Sequence, residues 1–315
     1  MFKIINENVG SFDSVKILNS QHGIELQIVN GFGAIINKYI VNNSPFSFIS
    51  GYQDHQEIID QHPFFSRSAK LFPFPNRLNL GCYTFETRDY RLTANFPWSD
   101  HAVHGLLYNQ PFKLTHFFAD EESANVSFQF KTDSLNEGFP FAFEINITFT
   151  INVDGVLHCS TEIKNCGNTT FPFGDAWHPY FSLNTKRENC TLTMPDCVEV
   201  IHSNDLPTGQ TQPCSEFSQS KSLQGLALNH CFQFPKGSKT EIALERDDLV
   251  ASLYYQQGES YPYVQLYTPD QEQSIAIEPM SCPADAFNNH MGLLTLAPSQ
   301  SQTFTWQCQA VYRPN

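Results

Sequence analysis

The sequence lacks the features that mark membrane, secreted and zinc-binding proteins. No run of about 18 apolar residues occurs, so no segment is expected to span a bilayer. The first residues, Met1-Phe-Lys-Ile-Ile-Asn-Glu7, lack the apolar core of a signal peptide. No Cys-x-x-Cys occurs among the nine cysteines, which argues against a zinc site. We therefore expect a cytoplasmic protein with reduced cysteines, no metal and no membrane partner.

Basic residues are also scarce. The 315 residues include 18 Lys and Arg against 32 Asp and Glu, which gives a net charge of −14, and the basic residues form no run. Binding to nucleic acid needs clustered positive charge that neutralises phosphates. Neither nucleic acid nor an anionic membrane is therefore expected as a partner, and a neutral small molecule suits this charge balance best.

Helical periodicity is nearly absent, and only residues 55–61 are expected to form one or two helical turns. Alternation of apolar and polar residues dominates instead, as in residues 141–153, and Asp154-Gly155 after that run is typical of a hairpin turn. Residues 203–224, rich in Ser, Gln, Asn and Pro, are expected to form a long surface loop. The prediction for residues 1–315 is one all-β domain of many antiparallel strands. Further strands are predicted at residues 23–29, 34–40, 125–131, 156–164, 241–244, 249–255, 263–267, 274–277 and 303–312.

Two segments in the first third of the chain carry candidate ligand-binding groups. In Leu71-Phe-Pro-Phe-Pro-Asn-Arg-Leu78 two prolines hold the backbone extended, and Asn76 and Arg77 follow in a predicted turn. An Arg held there can donate several hydrogen bonds to an oxygen-rich ligand, or it can be a solvated loop residue. His104 precedes Gly105, which would let a ligand or backbone approach closely. The alternative for His104 is a packed histidine.

Two segments in the second half carry candidate acid–base groups. His178 lies among large aromatics, and a histidine with its ordinary pKa of about 6.5 exchanges protons at neutral pH. Trp177 and Tyr180 beside it are expected to stack on a ligand or to fill the core. Glu278 follows an apolar strand that Pro279 is expected to end. The alternatives are a core histidine and a solvated glutamate.

Together these segments resemble the aldose 1-epimerase (galactose mutarotase) family, in the same order and at similar spacing. The resemblance runs from about residue 30 to the C-terminus and is greatest to a bacterial branch of uncharacterised aldose-epimerase-like proteins. Its motifs are Phe74-Pro-Asn-Arg77, His104-Gly105, His178-Pro-Tyr-Phe181, Glu278-Pro-Met280 and Asp285-Ala-Phe-Asn288.

The resemblance implies a β-supersandwich fold and a cofactor-free isomerase that interconverts the α and β anomers of a sugar. Glu278 would be the general base on the anomeric hydroxyl, and His178 the general acid at the ring oxygen, with His104 in support. The sugar is the expected small-molecule partner, and the protein is expected to be a monomer or homodimer. The residues expected to bind the sugar are Asn76, Arg77, Trp177, Tyr180 and Asn229.

Three positions depart from the family pattern. Asn229 stands where the family usually has an Asp that binds sugar hydroxyls, Leu106 replaces a glycine, and Ser182 replaces an asparagine. These changes bear on the identity of the sugar more than on the acid–base pair. Asn229 also motivates a rival hypothesis, a non-catalytic carbohydrate-binding protein. An epimerase of phosphorylated hexoses ranks lower, because it needs a basic phosphate pocket and the only candidates for one, Arg77, Arg88 and Arg91, form no clear cluster in the sequence.

Overall fold

A computed structural model of the protein describes residues 1–237, 240–270 and 272–313. Strands make up most of these residues, and helical elements are few and short. The first half of the chain contains β1 (Lys3–Val9), β2 (Phe12–Asn19), β3 (Ile24–Val29), β4 (Ile35–Ile40), α1 (His55–Phe65), β5 (Lys70–Leu71), β6 (Arg77–Leu78), a 3₁₀ turn (Asn79–Gly81), β7 (Cys82–Phe85), β8 (Arg88–Arg91), β9 (Ala102–Val103), β10 (Lys113–Ala119), β11 (Ser123–Thr132), β12 (Phe143–Asn152) and β13 (Val156–Asn165).

The second half continues the same pattern, and it supplies most of the strands on which the candidate site is built. Its elements are β14 (Phe171–Phe173), β15 (Ala176–Trp177), β16 (Tyr180–Phe181), a 3₁₀ turn (Arg187–Asn189), β17 (Cys190–Thr193), β18 (Cys197–Ser203), β19 (Leu206–Cys214), β20 (Lys221–Ser222), β21 (Asn229–Gln233), β22 (Thr240–Arg246), β23 (Ala251–Gln257), β24 (Tyr263–Tyr267), β25 (Ile275–Met280), α2 (Ala286–Asn289), β26 (Leu294–Leu296) and β27 (Ser301–Tyr312).

Two large antiparallel sheets form the body of the described structure. One has the strand order β10-β11-β12-β13-β27-β23-β22-β17-β20, and the other has the order β19-β18-β21-β24-β25-β15-β5, with β16 also paired to β25. The inner faces of both sheets contribute to one hydrophobic cluster. The rings of Phe149 and Trp306 from the first sheet lie 5.5 and 6.4 Å from the ring of Trp177 in the second. The all-β sandwich expected from the sequence is confirmed.

The alternation that predicted β12 explains how the first sheet packs. Its five apolar side chains are fully buried and the polar ones between them are half-buried, as expected for a strand with one face on the core. Gly155, with a φ of 76°, forms the predicted turn between β12 and β13. The sheet β1-β2-β3-β4 packs beside this turn through Tyr39, whose hydroxyl donates to the Gly155 carbonyl.

The central strands of the second sheet have two different faces. Val264, Leu266 and Ile277 belong to the hydrophobic cluster between the sheets. On the other face Gln265 lies directly opposite Glu278 in the antiparallel register of β24 and β25. Since directly opposed residues project to the same side, this face presents polar groups away from the core.

Strand β25 runs through Pro279, which corrects the expectation that the proline ends it. The Ile277 N–H donates to the Pro179 carbonyl at 3.1 Å. The Pro279 nitrogen, two residues further on, faces the same side, where the register of the Ala176–Met280 and Tyr180–Ala276 pairs places Trp177 opposite it. The proline leaves one hydrogen bond to β15 unmade, and β25 continues because its other edge remains paired with β24.

The predicted surface loop at residues 203–224 is also wrong in part, because β18 and β19 form a hairpin. Its turn residues Asn204 and Asp205 have φ values of 50° and 65°, as a tight hairpin turn requires. Strand β19 is an exposed edge strand and therefore has no apolar alternation by which it could be found.

The helix predicted at residues 55–61 is confirmed and extends to Phe65. It begins at Asp54, whose side chain accepts a hydrogen bond from the Glu57 N–H at 2.9 Å, which is a typical N-cap. It ends at Ser66, which has left-handed backbone angles. The last turn of the helix lies over the polar face of the second sheet.

Gly105 packs too tightly for any side chain. Its φ is 69°, and a Cβ placed on it would lie 2.2 Å from the Phe72 carbonyl oxygen. Gly209 has a similar φ of 81°, but a Cβ there would have no atom within 4 Å. Replacing either glycine with alanine should cost about 1–2 kcal/mol, because alanine disfavours left-handed backbone angles. Only Gly105→Ala also forces backbone atoms apart.

We therefore expect Gly105→Ala to lower the free energy of unfolding by about 1–3 kcal/mol more than Gly209→Ala. Urea denaturation of both variants measures this difference. Equal losses in the two variants would contradict the close backbone contact at Gly105.

Candidate active site

A cavity of about 370 Å³ lies on the polar face of the second sheet. This volume is at the lower end of the range for small-molecule sites, about 300–1,000 Å³. Every residue predicted for the site except Trp177 lines it. Its walls are formed by Phe64, Phe65, Asn76, Arg77, Trp98, Val103, His104, His178, Tyr180, Asn229, Gln265, Tyr267 and Glu278.

The two predicted acid–base residues meet at the floor of this cavity. Glu278 lies in the middle of β25, and His178 lies in the break between β15 and β16, which both pair with β25. Glu278 Oε1 is 3.5 Å from His178 Nε2, and both side chains are buried. The ring of Tyr180 stacks on that of His178 with 4.9 Å between centroids and an interplanar angle of 7°. The histidine is therefore held in place by its backbone and by this neighbour.

Burial opposes charge on both members of this pair. It lowers the pKa of His178 to about 3. It raises the pKa of Glu278 well above its ordinary value, and the positive charge of Arg77 opposes that rise. Loss of hydration disfavours the charged form of each group. It lowers the pKa of the imidazole, which is charged when protonated, and raises the pKa of the carboxyl, which is charged when it has lost its proton. Burial therefore favours the pair as a neutral imidazole and a protonated carboxyl.

His104 is fixed by two hydrogen bonds with Asn76. The His104 N–H donates to the Asn76 carbonyl at 2.7 Å, and the Asn76 N–H donates to His104 Nδ1 at 3.3 Å. Because Nδ1 accepts, the neutral ring carries its proton on Nε2. Burial, then the neighbouring His178 and Arg77, hold the pKa of His104 well below its ordinary value. His104 is thus a neutral hydrogen-bond donor beside His178, whose ring centroid is 5.1 Å away.

Arg77 forms one wall of the cavity, as predicted from the proline-rich segment. Its Nη1 donates to Asn76 Oδ1 at 3.0 Å, and its guanidinium carbon lies 5.4 Å from the centre of the Trp98 ring. Asn76 itself has a φ of 54°, which places the predicted turn immediately before Arg77. The guanidinium is oriented while several of its donors remain unused.

Gln265 is a polar cavity residue that sequence reasoning missed. Its Nε2 donates to Asn229 Oδ1 at 2.9 Å, while its Oε1 is buried with no hydrogen-bond partner in the described part of the chain. A buried acceptor without a partner is costly unless a ligand or water supplies the donor. One sequence signal could have identified Gln265: it lies between Val264 and Leu266 in the apolar strand β24. In the structure it is directly opposite Glu278.

Trp177 does not reach the cavity, so the expectation that it stacks on a ligand is corrected. Its side chain is fully buried between the sheets, and its indole N–H donates to Thr161 Oγ1 at 3.2 Å. Successive residues of an extended chain point to opposite faces, so Trp177 must face the core if His178 faces the cavity. The alternative that Trp177 fills the core is the one found.

Aromatic residues at the mouth were also missed. Phe64 and Phe65 come from the last turn of α1 and Trp98 from a loop, and Trp98 Nε1 donates to the Pro63 carbonyl at 2.8 Å. Phe64 and Trp98 are among the exposed large apolar residues. Their positions depend on how the helix and loop fold back over the sheet, which no local pattern reveals.

A buried ion pair lies behind the His178 segment. Lys70 Nζ contacts Asp175 Oδ1, and neither side chain is exposed. The Tyr261 hydroxyl donates to Asp175 Oδ2 at 2.6 Å, and Lys70 donates to the Ala176 carbonyl at 3.2 Å. Burial lowers the pKa of Lys70 and raises the pKa of Asp175, and the attraction between them opposes both shifts. The pair joins β5 to the chain just before His178.

The cavity combines the neighbouring His178 and Glu278 with further hydrogen-bond donors and acceptors and with aromatic rings. This combination suits a neutral ligand with many hydroxyls, since hydroxyls both donate and accept. Within residues 1–237, 240–270 and 272–313, no group of three or more His, Cys, Asp or Glu is arranged to hold a metal ion. Neither described helix has the length and apolar character needed to cross a membrane.

The sandwich and its cavity define a protein with the galactose mutarotase-like fold. The structure aligns with a galactose mutarotase-like protein from Clostridium acetobutylicum with a TM-score of 0.86 and 16% identity, covering 99% of each chain. It aligns with galactose 1-epimerase from Lactobacillus acidophilus with a TM-score of 0.81 and 17% identity, covering 100% of this chain and 99% of the other.

The sequence comparison gives the family. The aldose 1-epimerase family profile matches residues 14–309, and the chain belongs to this family. A relative from Escherichia coli K12, the uncharacterised protein YihR, is 27% identical over 245 residues, which are 75% of this chain and 77% of the relative. The family predicted from the motifs is confirmed.

The raised pKa of Glu278 has a consequence for stability. When its carboxyl is exposed in the unfolded chain it ionises as the pH rises above about 4.5, whereas in the folded protein it retains its proton to higher pH. The folded state therefore loses stability over that range. Glu278→Gln removes this dependence, so the variant should be more stable than wild type at pH 8 and close to wild type at pH 4.5.

Urea denaturation at both pH values measures this difference, with Glu121→Gln, an exposed glutamate, as control. A wild-type advantage over Glu278→Gln at pH 8 would contradict the burial argument.

Proposed function

We propose that this protein is an aldose 1-epimerase that interconverts the α and β anomers of a hexose-type sugar. The observation that carries the proposal is the buried pair of His178 and Glu278, 3.5 Å apart, at the floor of a small polar and aromatic cavity. Mutarotation needs one proton removed from the anomeric hydroxyl and another delivered to the ring oxygen. One carboxylate and one imidazole suffice for these two transfers.

In the proposed reaction Glu278 takes the proton from the anomeric hydroxyl while His178 gives its proton to the ring oxygen. The bond between the ring oxygen and the anomeric carbon breaks, and the open-chain aldehyde forms. After the aldehyde group rotates, His178 takes the proton back and Glu278 returns the other one to the carbonyl oxygen. The ring closes on the opposite face, and the pair regains its starting protonation.

The pKa shifts favour the middle of this cycle. When the sugar is open, Glu278 is protonated and His178 is neutral, which is the state that burial favours. The state that attacks the closed ring carries an ionised carboxyl and a protonated imidazole. Arg77 supports that state by favouring the ionised carboxyl. Burial thus favours the neutral pair, and Arg77 opposes that preference.

The remaining cavity residues are proposed to bind sugar hydroxyls. Arg77 and His104 Nε2 offer donors, and Gln265 Oε1 offers a buried acceptor without a partner. Asn229 Oδ1 accepts the hydrogen bond from Gln265, so Asn229 offers a ligand its Nδ2 as a donor. An Asp at this position would offer acceptors only, so we propose that Asn229 changes which hydroxyl arrangement is preferred.

The rival proposal is a carbohydrate-binding protein without catalysis, and Asn229 remains the residue that motivates it. The phosphorylated-sugar hypothesis is less favoured, because Arg88 and Arg91 lie on β8 and are not among the cavity residues. A phosphate group would therefore find one arginine, Arg77, among the described lining residues.

Polarimetry of freshly dissolved α-sugars tests the proposal. Wild type should accelerate mutarotation, and Glu278→Gln should lower kcat by about 10²–10⁴-fold, because each proton-transfer group typically contributes that factor. Glu121→Gln should behave as wild type.

A broad sugar panel without acceleration would end the enzymatic proposal. Tight binding in calorimetry without acceleration would then favour the carbohydrate-binding protein.

The pH dependence gives a second test. The active pair shares one proton. As the pH falls, a second proton is added at the lowered pKa of His178, about 3, and no base remains. As the pH rises, the shared proton is lost at the raised pKa of Glu278, and no acid remains.

We therefore expect kcat/KM to stay level from pH 7 to pH 5, without a fall near the ordinary histidine pKa of about 6.5. Polarimetry corrected for the spontaneous reaction measures the profile, and circular dichroism at each pH checks that the protein remains folded. A half-maximal point near pH 6.5 in folded protein would show that His178 is not buried as described.

A further inference from the structure

The tip of the hairpin of β18 and β19 contacts Arg77, a residue that lines the cavity. Strand β19 is an exposed edge strand, and the turn residues Asn204 and Asp205 both have left-handed backbone angles. This turn places Asp205 Oδ2 at 3.3 Å from Arg77 Nη2. The contact joins the edge of the second sheet to the proline-rich segment that forms the wall of the cavity.

Arg77 is held from three directions. Asn76 Oδ1 accepts from Nη1 at 3.0 Å, the Trp98 ring lies beneath the guanidinium at 5.4 Å, and Asp205 contacts Nη2. Each terminal nitrogen carries two hydrogens, so one on each remains, together with the hydrogen on Nε. Asp205 therefore orients the guanidinium without using up the donors that a ligand needs.

We propose that Asp205 is a positioning residue for Arg77, and that the hairpin tip is in this way part of the binding site. The inference rests on the proposed function, because it assumes that Arg77 binds a sugar. Asp205 is not among the residues that line the cavity, so it acts through Arg77 and not on the sugar. Without it, the guanidinium has more freedom to lose when a sugar binds.

The effect is on binding and is moderate. The Asp205 side chain is 58% exposed, and ion pairs of that exposure contribute little energy. We expect Asp205→Asn to raise KM for an accepted sugar about two- to fivefold and to lower kcat by less than that factor, because Arg77 also favours the ionised form of Glu278. Asparagine tolerates left-handed backbone angles, so this substitution removes the charge and keeps the turn.

Asp248→Asn is the matched control. Asp248 forms a comparable exposed ion pair with Arg246, at 2.7 Å and with 49% exposure, and it is not among the cavity residues. This variant should keep the wild-type KM. In 1 M sodium chloride, where charges are screened within about 3 Å, wild-type KM should rise to that of Asp205→Asn, whose own KM should not change further. A structural defect at the turn would not produce this convergence.

A measurement without sugar completes the test. The chain has three tryptophans, of which Trp177 and Trp306 are buried, so quenching of fluorescence by acrylamide reports on Trp98 beneath Arg77. Quenching should increase in Asp205→Asn and not in Asp248→Asn. Unchanged quenching, or an unchanged KM with increased quenching, overturns the role of Asp205. If wild type accelerates no sugar, the proposed function fails, and the quenching experiment still decides whether Asp205 holds Arg77.

Discussion

The candidate site depends on alternation across β24 and β25. One face of these strands supplies Val264, Leu266 and Ile277 to the core, and the other presents Gln265 and Glu278 to the cavity. Since a slip of one residue would exchange the two faces, the burial of the apolar set also fixes where the carboxyl lies. The hydrophobic core thus fixes which face of the sheet carries Glu278, and stacking on Tyr180 holds the neighbouring His178.

The chemistry follows from that placement. A carboxyl that projects from the centre of a sheet is removed from water, and the neighbouring imidazole in the break between β15 and β16 is removed with it. The resulting pKa shifts reverse the usual order of the two groups, so that the carboxyl holds a proton more tightly than the imidazole does. Gln265 is also a buried polar group on this face, and its Oε1 has no hydrogen-bond partner among the described residues. A ligand that donates a hydrogen bond would satisfy it.

Most strands were predictable from sequence, and the resemblance to a family led us to expect that His178 and Glu278 lie close together. The surroundings of these two residues were only partly predictable. Alternation and the Asp154-Gly155 turn are local, so β12 and its hairpin were predicted correctly. His178, Glu278 and Arg77 were found because their motifs resemble a family. The exposed strand β19 lacks an apolar period, and Pro279 in β25 is tolerated because its nitrogen faces away from the pairing with β24. Phe65 and Trp98 reach the cavity through tertiary folding, which no local pattern encodes.

The ion pair of Lys70 and Asp175 has a consequence for how such a chain can evolve. Removing one partner leaves an uncompensated buried charge, which typically costs about 3–5 kcal/mol, whereas replacing both with apolar residues is often neutral. Natural proteins have a total stability of only about 5–15 kcal/mol. A substitution at only one of the two positions is therefore strongly destabilising. A natural or engineered variant that lacks the ion pair is expected to have both residues replaced.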